Sequence, residues 1–438
     1  MFKRVVLVSV VCAVLPGSLF AQDESPSAYL DAALRAGEWL KACAVRTEDG
    51  LVWPADPLDG ESVVENLYSG NPGVVLYFLE AWHSTGDEGY LEYAKGGADH
   101  LLAVLEGIEG CGFYEGLAGI GFVLNETGKA TGEEKYAAGA KRCVALICEQ
   151  AVEKGAGVEW DGTTDVISGA AGAGLFLLYA ARELGDEAAL ETAAAAGRRL
   201  IEVGIPVESG LKWMMHPEYP RLMPNFSHGT AGVAYFLARL YEETGEREFL
   251  EAALAGAKYL QSIAHVEGGG CLIFHHEPEG EELFYLGWCH GPVGTARLFQ
   301  VLHRITGEDV WREWVTKSAE AILRSGIPEK ETAGFWNNVG ICCGSAGVAQ
   351  YFLDMYRITG EERYLEFCRK VADEMITRGE AEGGGLKWVQ AEHRVRPELL
   401  VAQTGLMQGA AGIGLTLLQM GARLRGEETL IALPDTPY

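Results

Sequence analysis

The stretch His228–Leu250, HGTAGVAYFLARLYEETGEREFL, carries the pattern on which the fold depends. A Gly-x-x-Gly begins at Gly229, and a further glycine, Gly245, follows 16 residues later. The segment between them is apolar on nearly every helical face, whereas the segment after Gly245 is amphipathic. We therefore predict a helical hairpin, in which a buried inner helix ends at a C-terminal glycine and an outer helix follows it.

The same pattern occurs seven times along the chain. The seven Gly-x-x-Gly motifs begin at Gly70, Gly116, Gly169, Gly229, Gly291, Gly344 and Gly409. In the first six copies the later glycine lies 16 residues further on, and in the seventh it lies 17 residues further on. A constant offset over six copies indicates a repeat architecture, which a single motif would not. An additional amphipathic segment, SAYLDAALRAGEWLKACA, precedes the first hairpin.

Helical hairpins of this kind stack into an open solenoid or close into a toroid. The inner helices are apolar on nearly all faces and the sequence has no obvious polar capping repeat, so we predict closure. The expected fold is an all-α, α/α toroid of seven inner and seven outer helices, forming one domain over residues 22–438. The starts of the inner helices would surround one mouth, on the same face as the longer loops 153–168, 204–228 and 264–290.

Residues 1–21 have the features of a signal peptide. Lys3 and Arg4 precede an apolar run from Val5 to Leu15 that is too short to span a bilayer. The segment 18–21, SLFA, resembles a small-x-x-Ala cleavage site. We expect export to the periplasm or the medium, and no membrane span in the mature chain.

Composition narrows the classes of function. Hydrophobic residues make up 48% of the chain, enough for a large core. The formal net charge of −27, from 62 acidic and 35 basic residues, disfavours nucleic acid and anionic membranes as partners. Of the ten cysteines, nine would remain after removal of the signal peptide. Disulfides are the usual expectation in an exported protein, but the irregular spacing leaves the redox state open.

Thiol and imidazole side chains are concentrated at the inner-helix starts of three successive repeats. Repeats four, five and six carry SHG, WCHG and CCG there, which places His228, Cys289, His290, Cys342 and Cys343 around one mouth. Zinc takes thiolate and imidazole ligands, and catalytic zinc sites keep one position open. We predict a zinc site at Cys289, Cys342 and Cys343; a vicinal disulfide or an inert core pair is the alternative for Cys342 and Cys343. Each histidine is a metal ligand, a general acid/base or a structural residue.

The remaining cysteines and histidines favour a structural interpretation. His275 and His276, in IFHHEPEGEE, are expected in a polar loop. Four cysteines within outer-helix patterns are expected to act as small apolar residues: Cys43, Cys143, Cys148 and Cys368.

The motifs GWCHGPVG, CCGSAG, FSHGTAG and DVISGAAG together resemble the lanthionine synthetase C-like family. The resemblance covers roughly residues 30–425 and all seven repeats. It implies an α/α toroid that binds Zn²⁺ and adds thiols to dehydroalanine or dehydrobutyrine, forming thioether bonds. Bacterial cyclases of the family act within peptides, and eukaryotic relatives add glutathione to dehydroamino acids in proteins. The implied substrates are therefore a peptide or a small thiol and a dehydroamino acid.

The resemblance also implies roles for individual residues. Cys289 and Cys342 match zinc ligands, and Cys343 stands where many members have the histidine of a Cys-His-Gly motif. His228 matches a histidine that serves as acid/base, and Asp165 matches an aspartate proposed to position or protonate the substrate. In this mechanism a zinc-bound thiolate attacks the β-carbon, and His228 protonates the enolate at Cα.

Two other functions stay open at this point. A non-catalytic zinc-binding module would use the same cysteines without turnover. An exported toroid that acts on sugars, such as a glycosidase or an epimerase, would need a pair of carboxylates, for which Glu115 and Asp165 are candidates. Four aromatic residues could then line its cleft: Trp53, Trp213, Trp288 and Trp336. A sugar-acting site would not explain the clustered thiols.

Overall fold

The computed structural model describes residues 25–438, so the predicted signal peptide, residues 1–21, lies outside the described residues. Fourteen α-helices within this range alternate between an inner and an outer layer. The inner helices are α2 (Asn71–Thr85), α4 (Leu117–Thr131), α6 (Ala170–Leu184), α8 (Thr230–Thr244), α10 (Pro292–Thr306), α12 (Ser345–Thr359) and α14 (Ala410–Leu424). The outer helices are α1 (Ser25–Cys43), α3 (Glu88–Val104), α5 (Glu134–Gln150), α7 (Glu187–Val203), α9 (Arg247–Ile263), α11 (Asp309–Ser325) and α13 (Glu362–Thr377).

Each inner helix has 15 residues, as the glycine spacing predicts. In α8 the helix ends at Gly245, whose φ of 71° is left-handed and whose N–H donates to the carbonyl of Tyr241. Glycine adopts this conformation without the steric penalty that a Cβ brings. The six outer helices that come after α1 each follow an acidic N-cap residue; the carboxylate of Asp186, for example, accepts the N–H of Ala189 at the start of α7. These local signals fix both ends of each hairpin.

The ring closes through the first helix. Helix α1, the amphipathic segment before the first hairpin, packs against α14 and so serves as the outer partner of the last inner helix. Helix α14 in turn packs against α2. The predicted α/α toroid of seven inner and seven outer helices is confirmed. None of the helices within residues 25–438 has the length and hydropathy that a bilayer-spanning helix needs.

A ring of backbone hydrogen bonds joins all seven repeats at the mouth. Each repeat donates one amide N–H to a carbonyl of the next repeat, with donor–acceptor distances of 2.8 to 3.1 Å. The pairs, donor first, are Tyr68 to Tyr114, Tyr114 to Ile167, Val166 to Ser227, Ser227 to Cys289, Cys289 to Cys342, Cys342 to Met407, and Met407 to Tyr68. The ring residues stand two positions before the first glycine of each motif, except that Val166, three positions before, is the donor in repeat three. Residues that are far apart in sequence thus become neighbours through main-chain atoms alone.

Short β-hairpins follow five of the outer helices, where the sequence analysis expected only loops. They are β1–β2 (Val45–Arg46, Leu51–Val52), β3–β4 (Val152–Lys154, Gly157–Glu159), β5–β6 (Ile205–Val207, Gly210–Lys212), β7–β8 (His265–Glu267, Gly270–Leu272) and β9–β10 (Glu380–Glu382, Gly385–Lys387). The second strand of each packs on the next outer helix; β10 packs on α1, across the point where the ring closes. A sixth pair, β11 (Gln390–Ala391) and β12 (Leu400–Val401), frames a loop at the mouth. Strands of two or three residues are too short to show alternation in sequence.

Tryptophans after the hairpins close the ends of the outer helices. The indole N–H of Trp53 donates to the carbonyl of Leu40, and that of Trp213 donates to the carbonyl of Leu200. Both bonds go to carbonyls in the last turn of a helix, where intrahelical partners run out; the carbonyl of Leu200 also accepts the N–H of Gly204 at 3.1 Å. Trp53 and Trp213 are fully buried and Trp288 is 1% exposed. The expectation that these three line a cleft is therefore wrong, because their rings fill the core.

The segment 427–438 lies among the inner helices. The buried carboxylate of Glu80 in α2 accepts the N–H groups of Leu430 and Ile431. Further along, the fully buried Asp435 forms an ion pair with Arg297 of α10 at 3.0 Å and accepts the hydroxyl of Tyr114, also at 3.0 Å. These contacts join the segment to two inner helices and to the backbone ring at the mouth.

Candidate metal centre

Three cysteine sulfurs meet at the mouth of the toroid. Cys289 comes directly before α10, and Cys342 and Cys343 come directly before α12. The Sγ atoms of Cys289 and Cys343 lie 3.2 Å apart, those of Cys342 and Cys343 lie 3.4 Å apart, and all three lie within 4.8 Å of one another. Each residue is buried, with exposed fractions of 4 to 8%. The structure thus brings together the three residues that the sequence analysis assigned to one metal.

The alternative of a vicinal disulfide is wrong. A sulfur–sulfur bond is about 2.05 Å long, well below the 3.4 Å between Cys342 and Cys343. All nine cysteines within residues 25–438 are free. The redox state that the cysteine spacing leaves open is therefore that of free thiols within these residues.

A close approach of the backbones makes this cluster feasible. The N–H of Cys289 donates to the carbonyl of Cys342 in the ring described above, at 3.1 Å. Gly287 lies against the same peptide, and a Cβ placed on it would be 2.8 Å from the carbonyl oxygen of Cys342 and 2.8 Å from Cα of Cys343. Real Cβ atoms do not approach backbone so closely, so glycine at this position lets repeats five and six come into contact.

The donor set fits zinc. A tetrahedral site with zinc–sulfur bonds of about 2.3 Å places its sulfurs about 3.8 Å apart, close to the observed separations. Hydrogen bonds from Cys289, Cys343 and the hydroxyl of Tyr68 hold the pKa of Cys342 well below its usual range. Burial raises the pKa of Cys289. Three buried sulfurs this close together offer the thiolate ligands that zinc takes, and a divalent cation is suited to neutralise their charge.

His228 faces the same cavity and is paired with Asp165. Nδ1 of His228 donates to Oδ2 of Asp165 at 2.5 Å. The other oxygen, Oδ1, accepts the N–H groups of Ser168 and Gly169 at the start of α6, both at 2.9 Å. Asp165 is fully buried, whereas 29% of the His228 side chain is exposed. Asp165 therefore fixes the tautomer and orientation of the imidazole and leaves Nε2 as the nitrogen available to a substrate.

The charge of Asp165 also changes the acidity of His228. Burial alone would lower the pKa of the imidazole, but the hydrogen bond and the charge of Asp165 outweigh it, and the pKa of His228 is raised. A raised pKa keeps the ring protonated, and able to give a proton, at a higher pH than a free histidine.

A cavity of about 240 Å³ joins the sulfurs to His228. One wall is aromatic, with ring centroids of Tyr285 and Trp336 lying 5.1 Å apart. His290 lies in this wall and stacks on His275, with centroids 3.9 Å apart. Burial lowers the pKa of His275 to about 3 and lowers that of His290, so both rings are neutral at ordinary pH.

Several of these residues have no recognisable signal in the sequence. The sequence predicts His275 in a polar loop, yet His275 lines the cavity; it does lie in loop 264–290, which is predicted to form the mouth face. Arg394 and Glu392 also line the cavity, from the loop between β11 and β12. That loop falls outside the repeat register, so no positional signal pointed to it. Tyr68 and Gln408 stand at ring positions and lack a metal-ligand side chain.

The carboxylates proposed for a sugar-acting site are arranged differently from a catalytic pair. Asp165 uses both oxygens within the protein, and Glu115 is an exposed residue whose Oε2 accepts the hydroxyl of Ser168 at 3.2 Å. Neither residue is among the described residues that line the thiol cavity. Trp336, the fourth of the proposed cleft aromatics, does line it.

Comparisons with known proteins agree with the fold. A family model described as Lanthionine synthetase C-like protein matches residues 61–425. Glutathione S-transferase LANCL1 of Danio rerio is 22% identical over 169 residues, which is 38% of this chain and 38% of that protein's own length. This match therefore spans little more than a third of the relative.

Solved structures with similar folds include enzymes of different kinds. Nisin cyclase is 15% identical, with 95% of this chain and 96% of that chain covered and a TM-score of 0.63. The GH76A alpha-1,6-mannanase of Salegentibacter sp. HEL1_6 is also 15% identical, with 90% and 99% covered and a TM-score of 0.52. At these identities the similarity concerns the toroid itself.

Proposed function

The chain belongs to the lanthionine synthetase C-like family, and we propose that it is a zinc-dependent enzyme that adds a thiol to a dehydroamino acid. The product would be a thioether, in a peptide or in a small molecule. The observation that supports this proposal is the placement of three buried cysteine sulfurs, within 4.8 Å of one another, in the same cavity as His228, whose imidazole is oriented from behind by Asp165.

Cys289, Cys342 and Cys343 would hold the metal. When bound, a zinc ion supplies Lewis acidity that keeps a substrate thiol ionised near neutral pH. The backbone ring and Gly287 hold the three sulfurs in place from two neighbouring repeats. Their burial lowers the local dielectric, which strengthens electrostatic interactions at the site.

His228 would donate the proton that Cα of the product receives. Addition forms a bond between the thiol sulfur and the β-carbon, and the electron pair of the Cα=Cβ double bond moves toward the carbonyl. Nε2 of His228 then gives a proton to Cα, and the hydrogen lost by the thiol balances the proton gained by the product, so that no further reagent is consumed. Asp165 stabilises the imidazolium through Nδ1 without itself facing the substrate.

The cavity at the mouth of the toroid is large enough for the reacting groups of the substrates but not for a whole peptide. Its volume of about 240 Å³ accommodates a thiol and the side-chain end of a dehydroamino acid. The wall formed by Tyr285 and Trp336 offers apolar contacts for the planar double bond. The rest of a peptide would extend over the mouth loops.

Metal analysis and an addition assay test the proposal together. We expect about one zinc per chain, and thioether formation when the zinc-loaded protein is given a dehydroalanine peptide and a thiol. His228→Ala should keep the zinc and lose about a hundredfold or more of the rate, as removal of a general acid does.

Other results point to other functions. Zinc without turnover by wild type over varied thiols and acceptors would indicate a non-catalytic zinc-binding module. Protein that binds no zinc when refolded with it would contradict both the enzyme and the module.

We also propose that residues 22–438 form one domain that is exported after removal of residues 1–21. The basic start and the short apolar run support this proposal. Amino-terminal sequencing of protein from separated cell fractions should find Gln22 first, outside the cytoplasm. Intact Met1 in the cytoplasmic fraction would contradict it.

A further inference from the structure

One arginine reaches the thiol cavity. Arg394 lies in the loop between β11 and β12, and its Nε donates to the hydroxyl of Tyr285 at 3.4 Å. It is the only arginine or lysine among the described residues that line the cavity. The other ionisable residues there are thiols, tyrosines, histidines and Glu392. The cavity thus contains one fixed positive charge.

The guanidinium of Arg394 has no acidic partner within residues 25–438, although carboxylates outnumber basic residues 62 to 35 in this chain. Glu392, only two residues away, instead accepts the amide of Gln403 at 2.8 Å. The terminal nitrogens of Arg394 therefore keep their donors free. An arginine left unpaired beside a carboxylate, at the wall of a cavity, indicates a site for an external anion.

Tyr285 holds the arginine in place. Its ring packs against His275, Trp336 and His290, at centroid distances of 4.4, 5.1 and 5.8 Å. Three ring contacts fix the phenol, and the phenol in turn occupies Nε of Arg394. The opposite edge of the guanidinium, formed by the two terminal nitrogens, is the edge that binds a carboxylate through two parallel hydrogen bonds.

We propose that Arg394 binds a carboxylate of the substrate and selects for substrates that carry one. The carboxylate belongs either to the thiol donor or to the dehydroamino acid acceptor. The neutral ring of His275 beside it adds no competing charge. The reaction named here rests on the proposed function, whereas carboxylate binding does not require turnover.

A binding experiment tests the site without chemistry. The ligand is 3-(methylthio)propionate, which has a carboxylate and no reactive thiol, titrated calorimetrically into the full-length, zinc-loaded protein. Arg394→Gln should weaken its binding about tenfold or more, the usual loss for a hydrogen bond to a charged group. Arg396→Gln, in the same exposed loop but away from the cavity lining, is the matched control and should bind as wild type does. Equal affinity in Arg394→Gln and wild type would overturn the proposal.

Kinetic comparisons identify which substrate carries the carboxylate. One arm compares 3-mercaptopropionate with 2-mercaptoethanol, using N-acetyldehydroalanine methylamide as acceptor. The other compares N-acetyldehydroalanine with its methylamide, using 2-mercaptoethanol as donor. In the correct arm, Arg394→Gln should raise KM for the charged substrate about tenfold and change kcat much less, and Arg394→Lys should restore part of the loss.

The outcomes separate the two proposals. Absence of turnover together with binding that depends on Arg394 would contradict the proposed reaction and leave the carboxylate site standing. Equal KM and kcat values for wild type and Arg394→Gln in both arms would overturn the carboxylate site without contradicting the proposed reaction.

Discussion

Asp165 and His228 are hydrogen-bonded at 2.5 Å although 63 residues separate them in sequence. They come from the starts of α6 and α8, which the toroid places side by side. One oxygen of Asp165 accepts the N–H groups of Ser168 and Gly169, just before α6, and the other orients the imidazole. The pair therefore couples the position of a helix to the protonation of a residue in the cavity.

Asp165→Asn should lower the pKa of His228. The asparagine oxygen can still accept the N–H groups of Ser168 and Gly169, so the substitution removes the charge while keeping these two hydrogen bonds. If protonated His228 gives a proton to Cα, activity falls as pH rises through its pKa, and the variant should lose activity at a lower pH than wild type. The imidazole resonance of His228, followed by NMR titration, checks the shift independently of activity.

The His228–Asp165 pair also makes the stability of the folded protein depend on pH. Because the folded pKa of His228 is raised, the contribution is present in full below the unfolded value of about 6.5 and is lost as pH rises through the folded value. An Asp165→Asn protein with an unchanged His228 pKa would contradict the assignment of the shift to this carboxylate.

Cys289→Ser should remove the metal. Loss of an outer partner of a metal ligand already reduces affinity about 10- to 100-fold, so loss of a ligand should exceed that. Zinc content after dialysis against a chelator gives the measurement. Cys148→Ser is the control, since Cys148 is half-buried on α5 and away from the cluster. Equal zinc retention in the two variants would show that Cys289 is not a ligand.

Cys343→His should keep the zinc and slow the addition. Three thiolates around Zn²⁺ give a formal charge of −1, whereas two thiolates and an imidazole give zero. The more negative set leaves a bound substrate sulfur more electron-rich and more reactive. Single-turnover rates at saturating thiol are the measurement, with zinc content as the control for occupancy. An undiminished rate in the zinc-loaded variant would count against this role for the third thiolate.

Gly287→Ala should destabilise the protein and weaken metal binding together. The added Cβ would meet the carbonyl of Cys342 and Cα of Cys343 at 2.8 Å, which forces repeats five and six apart. We expect a loss of about 1–3 kcal/mol in the free energy of unfolding, typical of overpacking. Gly60→Ala is the matched control, because a Cβ there meets no atom within 4 Å. The midpoint of urea denaturation and the affinity for zinc should both fall for Gly287→Ala. Both should stay unchanged for Gly60→Ala.

Asp435→Ala should lower the free energy of unfolding by removing one partner of a buried ion pair. It leaves the buried guanidinium of Arg297 without its partner, and breaking a buried ion pair in this way costs about 3–5 kcal/mol. The double variant Asp435→Leu with Arg297→Met should recover part of this loss because no charge is left uncompensated. Glu251→Ala, in the exposed pair with Arg247, should change the unfolding free energy by less than about 1 kcal/mol. Equal effects of Asp435→Ala and Glu251→Ala would contradict a structural role for segment 427–438.

The sequence predicted the helices and the ring because their signals are local and repeated. The offset between Gly229 and Gly245 is the length of one helix, and its recurrence in the other repeats identifies equivalent positions. That register alone brought Cys289 into alignment with Cys342 and Cys343. The role of Asp165, in contrast, came from family resemblance, since nothing local links it to His228.

Other features had no such signal. The strands of the β-hairpins are only two or three residues long. The hydrogen bonds from indole N–H groups to helix ends, such as that from Trp213 to the carbonyl of Leu200, depend on tertiary geometry. Asp435 lies outside any repeat, as does the loop that carries Arg394. The contacts of Asp435 and of Arg394 are each made once, so a pattern that relies on repetition cannot reveal them.

The backbone ring at the mouth runs in one direction, with each repeat donating to the next. Peptide groups therefore define where the neighbouring side chains project, whatever those side chains are. Replacement of sulfur by imidazole, or of hydroxyl by carboxylate, at one of these positions would leave the main-chain hydrogen bonds of the ring in place. The atoms that hold the repeats together at the mouth are thus separate from the atoms that carry the chemistry.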